Sequence, residues 1–351
     1  MNITTIFSNQ INQIFKGAGP IRSMTKVSNG RIIGGKIKGH VIEVWATTNN
    51  GSKWSRIGTI ASNSAIKYGD IMLLALPKVP IVFCAFREEN LSHKFKITIC
   101  RSNNGGVNWI YDSTVINWQN SFVGAPWLFI AQNGDMQCYY DSEPLASNNG
   151  SPRNQWIAMQ GRNGIEGEWN KYNIVTVSRD INKKKVCRDG MPSVIDLGNN
   201  RIMVVTEGVD DQRNGGMRAN VIRVIQSFNG GKTWDYNGRR IIYQSKIDTK
   251  SNKRFNSYCP MGIRIGNSSV GVVFCTDEDF DYPSASNAPV GKRNSHIKFI
   301  RSLDNFETWG DLKQFWSDGR KAYAPGMIEA KLNEILVSID NLGVQTFLRF
   351  R

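Results

Sequence analysis

Acids gather at equivalent places in this chain. Four apolar, strand-like runs, 81–86, 136–140, 202–206 and 270–275, each exit into carboxylates. These are Glu88 and Glu89, Asp141 and Glu143, Glu207 and Asp210, and the run Asp277, Glu278, Asp279. Arg87 and Tyr140 sit at the same exits. A second polar set opens the preceding strands: Arg22, Asp70, Trp127, Arg188 with Asp189, Tyr258 and Tyr323. Crowded acids raise one another's pKa, so their collection in a basic chain marks a candidate site. Paired carboxyls on either side of a bond are what glycoside hydrolysis requires. One is ionised, to attack or to activate water; the other is protonated, to serve the leaving oxygen. Aromatic and guanidinium groups beside them suit the stacking and hydrogen bonding of sugar rings.

These residues converge only if the chain repeats. It does. Ser227, Asn229, Gly231, Thr233 and Trp234 define an octet with hydroxyl, Asx, Gly and Trp at fixed offsets. Thr47, Asn49, Gly51 and Trp54 repeat it, as do Ser102, Asn104, Gly106 and Trp109. Ser302, Asp304, Thr308 and Trp309 keep the pattern but place Phe306 where glycine is expected. A more decayed copy ends at Trp169. An Asx side chain bonding the backbone ahead and a glycine at positive φ make a folded turn, which the Trp covers. The octets resemble the Asp box of sialidases and related β-propellers, where the turn joins the third and fourth strands of a blade, away from the active site.

The five Trp positions lie 55, 60, 65 and 75 residues apart, a period that suits four-stranded blades with long loops. Each unit reads as strand, Asn/Gly turn, apolar return strand, polar loop, third strand, octet. The expectation is an all-β, sialidase-like six-bladed β-propeller with four-stranded antiparallel blades, one domain over residues 1–351. The sixth unit has three strands and no octet; residues 3–7 are expected to supply its outer strand. In this grammar the octets occupy one rim. Strand-one starts and strand-two exits share the other.

The chain has 351 residues, 40% of them hydrophobic, and a formal charge of +15 from 44 basic and 29 acidic residues. No nucleic-acid motif accompanies the charge, and the tight run Lys183, Lys184, Lys185 reads as a solvated loop. The cysteines, Cys84, Cys100, Cys138, Cys187, Cys259 and Cys275, mostly lie in or beside apolar runs and are expected as buried free thiols. The histidines, His40, His93 and His296, have no metal-ligand spacing, so neither metal nor cofactor is expected. Residues 1–20 hold no apolar stretch of signal-peptide length, and no run approaches a membrane span. The chain is therefore expected either inside a cell or secreted with its leader removed, as a monomer.

Five segments in order extend the resemblance: 83–89 (Phe-Cys-Ala-Phe-Arg-Glu-Glu), 137–143 (Gln-Cys-Tyr-Tyr-Asp-Ser-Glu), 188–193 (Arg-Asp-Gly-Met-Pro-Ser), 205–209 (Val-Thr-Glu-Gly-Val) and 274–279 (Phe-Cys-Thr-Asp-Glu-Asp). They resemble the blade motifs of the exo-arabinanases of glycoside hydrolase family 93, over residues 20–350. The resemblance implies a retaining, exo-acting hydrolase that releases arabinobiose from α-1,5-linked arabinan with two glutamates, at positions matching Glu143 and Glu207. The polar surroundings of Glu143 suit a nucleophile, and the apolar run before Glu207 suits an acid/base. Arg22, Asp70, Trp127, Tyr140, Arg188, Asp189, Tyr258, Asp277 and Tyr323 are the expected substrate contacts. Two alternatives stay open. A sialidase would use Arg22 as its first arginine and Tyr258 as nucleophile, although Ile21-Arg-Ser-Met departs from the expected start. A propeller that binds glycan or protein without catalysis is the other.

Overall fold

The structure is a computed structural model describing residues 3–6, 21–47, 49, 51–143, 155–176, 187–210, 219–280, 295–302, 304, 306–316, 322–332, 334–341 and 344–350. Six four-stranded antiparallel sheets form the blades of a propeller. From inner to outer strand, blade one is Met24–Lys26, Ile32–Lys38, Val41–Thr47 and Ser55–Ser62. Blade two is Lys67–Ala75, Val82–Glu89, Phe95–Ser102 and Ile110–Gln119. Blade three is Phe122–Ile130, Met136–Glu143, Trp156–Arg162 and Lys171–Ile174. Blade four is Cys187–Gly198, Arg201–Asp210, Val221–Ser227 and Arg240–Tyr243. Blade five is Ser257–Ile265, Ser269–Thr276, His296–Ser302 and Trp309–Trp316. Blade six is Ala322–Lys331, Glu334–Asn341 and Val344–Phe350. Its outer strand is Ile3–Ile6, with Ile3 opposite Phe350 and Ile6 opposite Phe347.

Inner and second strands are apolar along nearly their whole length because neighbouring blades cover both faces. Every residue of Ser269–Thr276 is buried. The octets fold as turns between third and fourth strands. In the copy at 227–234, Ser227 Oγ accepts the Gly231 N–H at 2.9 Å and Asn229 Oδ1 accepts the Thr233 N–H at 2.9 Å. The same pair of bonds recurs at Ser102/Gly106 and Asn104/Asn108, both 2.9 Å. Gly51, Gly106 and Gly231 hold φ of 90°, 92° and 86°, and Phe306, in the glycine place of its octet, holds 74°. The octet tryptophans join blades as well as covering turns. Trp54 stacks on Phe347 across the blade six–one seam at 5.0 Å, and Tyr139 meets Trp234 edge-on at 5.9 Å between blades three and four. Such pairs contribute roughly 0.5–1.5 kcal/mol beyond their burial.

Cys84, Cys100, Cys138, Cys259 and Cys275 are buried free thiols. The Cys187 side chain, the Tyr323 side chain and the run Lys183–Lys185 lie outside the described residues. No described helix is long and apolar enough to cross a membrane.

Candidate functional site

The inner strands do not run smoothly. In blades two to six the register slips between Gly69 and Met72, Gly124 and Trp127, Gly190 and Ser193, Tyr258 and Met261, and Tyr323 and Gly326. At each slip a non-glycine residue adopts positive φ: Asp70 (54°), Ala125 (43°), Met191 (56°), Cys259 (51°) and Ala324 (42°). These are β-bulges, and left-handed backbone at such residues persists only where its surroundings hold it. In four of the five the next residue is proline: Pro126, Pro192, Pro260 and Pro325. Proline brings no N–H that a bulge would leave unpaired.

Four of the five bulges, at Asp70, Ala125, Met191 and Ala324, line one cavity of about 200 Å³. Arg22, Asp70, Met72, Trp127, Met191 and Ala324 are among its lining residues. Buried serines tie the inner strands round it. Ser23 Oγ accepts the Leu73 N–H at 2.6 Å, and Ser193 Oγ both accepts from Gly262 N (2.9 Å) and donates to Gly262 O (3.0 Å).

Three of the five bulges also turn an N–H onto a carboxyl of the blade before them. Ala125 donates to Asp70. Met191 donates to Asp141 Oδ1 at 2.9 Å, and Cys259 to Glu207 Oε2 at 2.6 Å. Three successive blades therefore present one carboxyl each to the axis. Arg22 crosses between them from blade one, donating to Met191 Sδ (3.2 Å) and to the Pro260 carbonyl (2.9 Å).

The environments of these acids differ. Burial opposes the charge on Asp70, but Arg87 Nε donates to its Oδ2 at 2.8 Å; with the Ala125 N–H and nearby Arg22, this holds Asp70 below its ordinary pKa. Burial, then the negative fields of Asp70 and Glu207, push Asp141 well above the carboxylate range, outweighing the Met191 N–H and Arg22. Glu143, two residues along the strand from Asp141, is gripped by Arg188 through two bonds of 3.1 and 3.0 Å. Arg188 also donates to Gln155 Oε1 at 2.7 Å.

Of the residues expected at the site, Arg22, Asp70 and Trp127 line the cavity. Glu207 accepts the N–H of Cys259, whose neighbour Pro260 accepts from Arg22, and Glu143 pairs with Arg188. The remaining expected residues are placed as follows. Tyr140 is buried within blade three, and burial raises its pKa. Asp189 is fully enclosed, with Arg239 at 2.6 and 2.7 Å and Arg223 at 3.3 Å. Asp277 accepts both the backbone N–H (2.5 Å) and the side-chain amide (2.9 Å) of Asn256. Tyr258 belongs to the hydrophobic core. The backbone of Tyr323 pairs with Asp340. What sequence reading missed was the ring of bulges, and with it the place of Asp141. The X–Pro pairs at 125–126, 191–192, 259–260 and 324–325, set inside apolar strands, were the available signal. Among the described residues no group of three or more His, Cys, Asp or Glu is placed to hold a metal ion.

No family model matches the chain, and no curated protein matches it. Solved structures do. The GH93 α-L-arabinofuranosidase of Fusarium graminearum, in complex with arabinobiose, superposes with a TM-score of 0.66 at 15% identity, over 99% of this chain and 96% of that one. The α-L-arabinanase of Penicillium chrysogenum, also with arabinobiose, gives 0.65 at 14%, over 99% and 97%. A Trypanosoma rangeli sialidase in complex with the inhibitor DANA gives 0.60 at 13%, over 94% of this chain and 54% of that one. What they share with this chain is the fold.

Proposed function

We propose that this protein is a glycoside hydrolase that cleaves α-1,5-linked arabinan from a chain end, releasing arabinobiose with retention of configuration. The observation that supports the reading is the set of Asp70, Asp141 and Glu207, each accepting a bulge N–H from the next blade, next to a cavity lined by Arg22, Asp70, Trp127 and Met191. The arabinobiose named with two of the similar structures supports the sugar. In this reading a carboxylate, assigned to Glu143, attacks the anomeric carbon as the C–O bond to the leaving sugar breaks. Glu207 gives its proton to the leaving oxygen, then takes one from the water that hydrolyses the glycosyl-enzyme. Trp127 supplies an apolar wall and Arg22 fixed donors for ring hydroxyls.

One observation favours a second reading. Among the described residues the Arg22 guanidinium donates to neutral partners, Met191 Sδ and Pro260 O, so a carboxylate-bearing sugar would complement it, as in a sialidase. Incubation with linear α-1,5-arabinan and, in parallel, with sialyl-lactose decides between them by product chromatography. Arabinobiose is expected. Free sialic acid, with arabinan untouched, overturns the arabinan reading.

A further inference from the structure

Met191 is set apart from the other methionines by its place. Its side chain is partly exposed and lines the cavity. The seven other methionines with described side chains are buried, from Met136 and Met203 at 0% to Met72 at 8% exposure. The five described thiols, which would compete for the same oxidants, are buried as well. A thioether has no proton to lose before it reacts, so access decides which methionine is oxidised. Met191 Sδ is also an atom that holds Arg22. Arg22 Nη1 donates to it at 3.2 Å while Nη2 donates to the Pro260 carbonyl at 2.9 Å. The backbone on the Met191 side is fixed: its N–H bonds Asp141 Oδ1 at 2.9 Å, its φ is 56°, and Pro192 follows.

We propose that Met191 is a peroxide-reactive modification site whose sulfoxide oxygen engages the Arg22 guanidinium and withdraws it from a bound ligand. In the reaction a sulfur lone pair attacks one oxygen of hydrogen peroxide, and the O–O bond breaks as the S–O bond forms. The proton of the attacked hydroxyl passes to the departing one, which leaves as water. Sulfur is oxidised by two electrons and the peroxide is reduced. Thioether sulfur is a weak acceptor, whereas a sulfoxide oxygen is polar and its bond to a guanidinium is charge-assisted. Sδ and Nη1, 3.2 Å apart, leave no room for an oxygen between them. With the Met191 backbone held, the guanidinium shifts to reach the new acceptor, at the expense of its bond to Pro260. Reduction by a methionine sulfoxide reductase restores the thioether. The modification stands apart from the glycosidase reading; its effect on turnover rests on that reading.

The first arm of the test needs neither substrate nor variant. Native protein is treated with hydrogen peroxide, and peptide mass spectrometry follows sulfoxide formation at each methionine. Met191 is expected to react at least about tenfold faster than any of the seven buried methionines, and the difference is expected to vanish in urea. Met191 reacting no faster than those, or keeping its lead in the unfolded chain, overturns the proposal. The second arm follows Arg22 by NMR through its 15N-labelled guanidinium, assigned by the signal lost in Arg22→Lys. That signal is expected to move as Met191 is oxidised and to stay in place in Met191→Leu under the same peroxide. A signal unmoved in wild type, or moved equally in the variant, overturns the role given to Arg22. Where a glycan is turned over, oxidised wild type is expected to lose at least about tenfold in kcat/KM, while Met191→Leu keeps its own starting value. Equal losses in both contradict the effect on the ligand, and absence of turnover on every glycan bears on the glycosidase reading alone.

Discussion

Two aspartates of the ring respond to pH in opposite senses because one has a cation bound and the other does not. Asp70 is held below its ordinary pKa. Its contribution to stability is therefore present above the usual carboxylate range and is lost as pH falls through its native value. Arg87→Ala leaves that charge without its ion-pair partner and is expected to cost about 3 kcal/mol at neutral pH, less once Asp70 is protonated. Asp141 is raised, so its stabilising effect is complete below the usual carboxylate range and fades as pH climbs to its native value. Asp141→Asn is thus expected to gain on wild type over that window, by up to roughly 1.4 kcal/mol per pH unit. Urea denaturation of both variants at acid and neutral pH checks the pair. Equal differences at the two pH values, for either variant, contradict the assignment. Position in the sequence alone did not separate these acids from Asp189 and Asp277, which follow the same blade grammar. Neighbouring residues of a strand face opposite sides, and both sides of an inner strand are covered. Arg188 reaches Glu143, whereas Asp189 is enclosed by Arg223 and Arg239.

At the scale of the element, the octets were the most legible part of the chain, because their hydrogen bonds are local and their residue types are dictated by φ. Gly231 sits at 86°, and a Cβ there would meet Tyr139 Oη at 2.9 Å and Gln137 Oε1 at 3.1 Å. Gly30, at 83°, has nothing within 4 Å. Gly231→Ala is therefore expected to lose about 2–3 kcal/mol, and Gly30→Ala about 1 kcal/mol from backbone strain alone. Thermal denaturation of the two variants tests the order, and equal losses would remove the role assigned to the blade three–four seam. Phe306 shows how the glycine rule is overridden. It holds 74° because its ring is buried with Leu197, Phe274 and their neighbours between blades four and five. Four of the five inner-strand bulges were written only as X–Pro pairs. A two-residue signal does not reveal that five copies meet on one axis until the blades are closed into a ring.

Closure is what turns a linear set of polar exits into a site. Ile3–Ile6 completes the blade of the last three strands, and Trp54 locks that blade to the first. Arg22 then reaches blades four and five, 169 and 238 residues away in the chain. Blade number and order followed from the repeat. The centre of the ring did not, since it depends on which side chains reach the axis when every inner strand is bent. The formal charge of +15 also conceals this centre, where acids are concentrated. Sugar cleavage is proposed to take place among these carboxyls. Turnover of linear α-1,5-arabinan by wild type and by Glu207→Gln, compared at matched melting temperature, tests it most directly. A loss of about a hundredfold or more in kcat with the fold intact is the predicted result. A variant as active as wild type would place the chemistry elsewhere on the propeller.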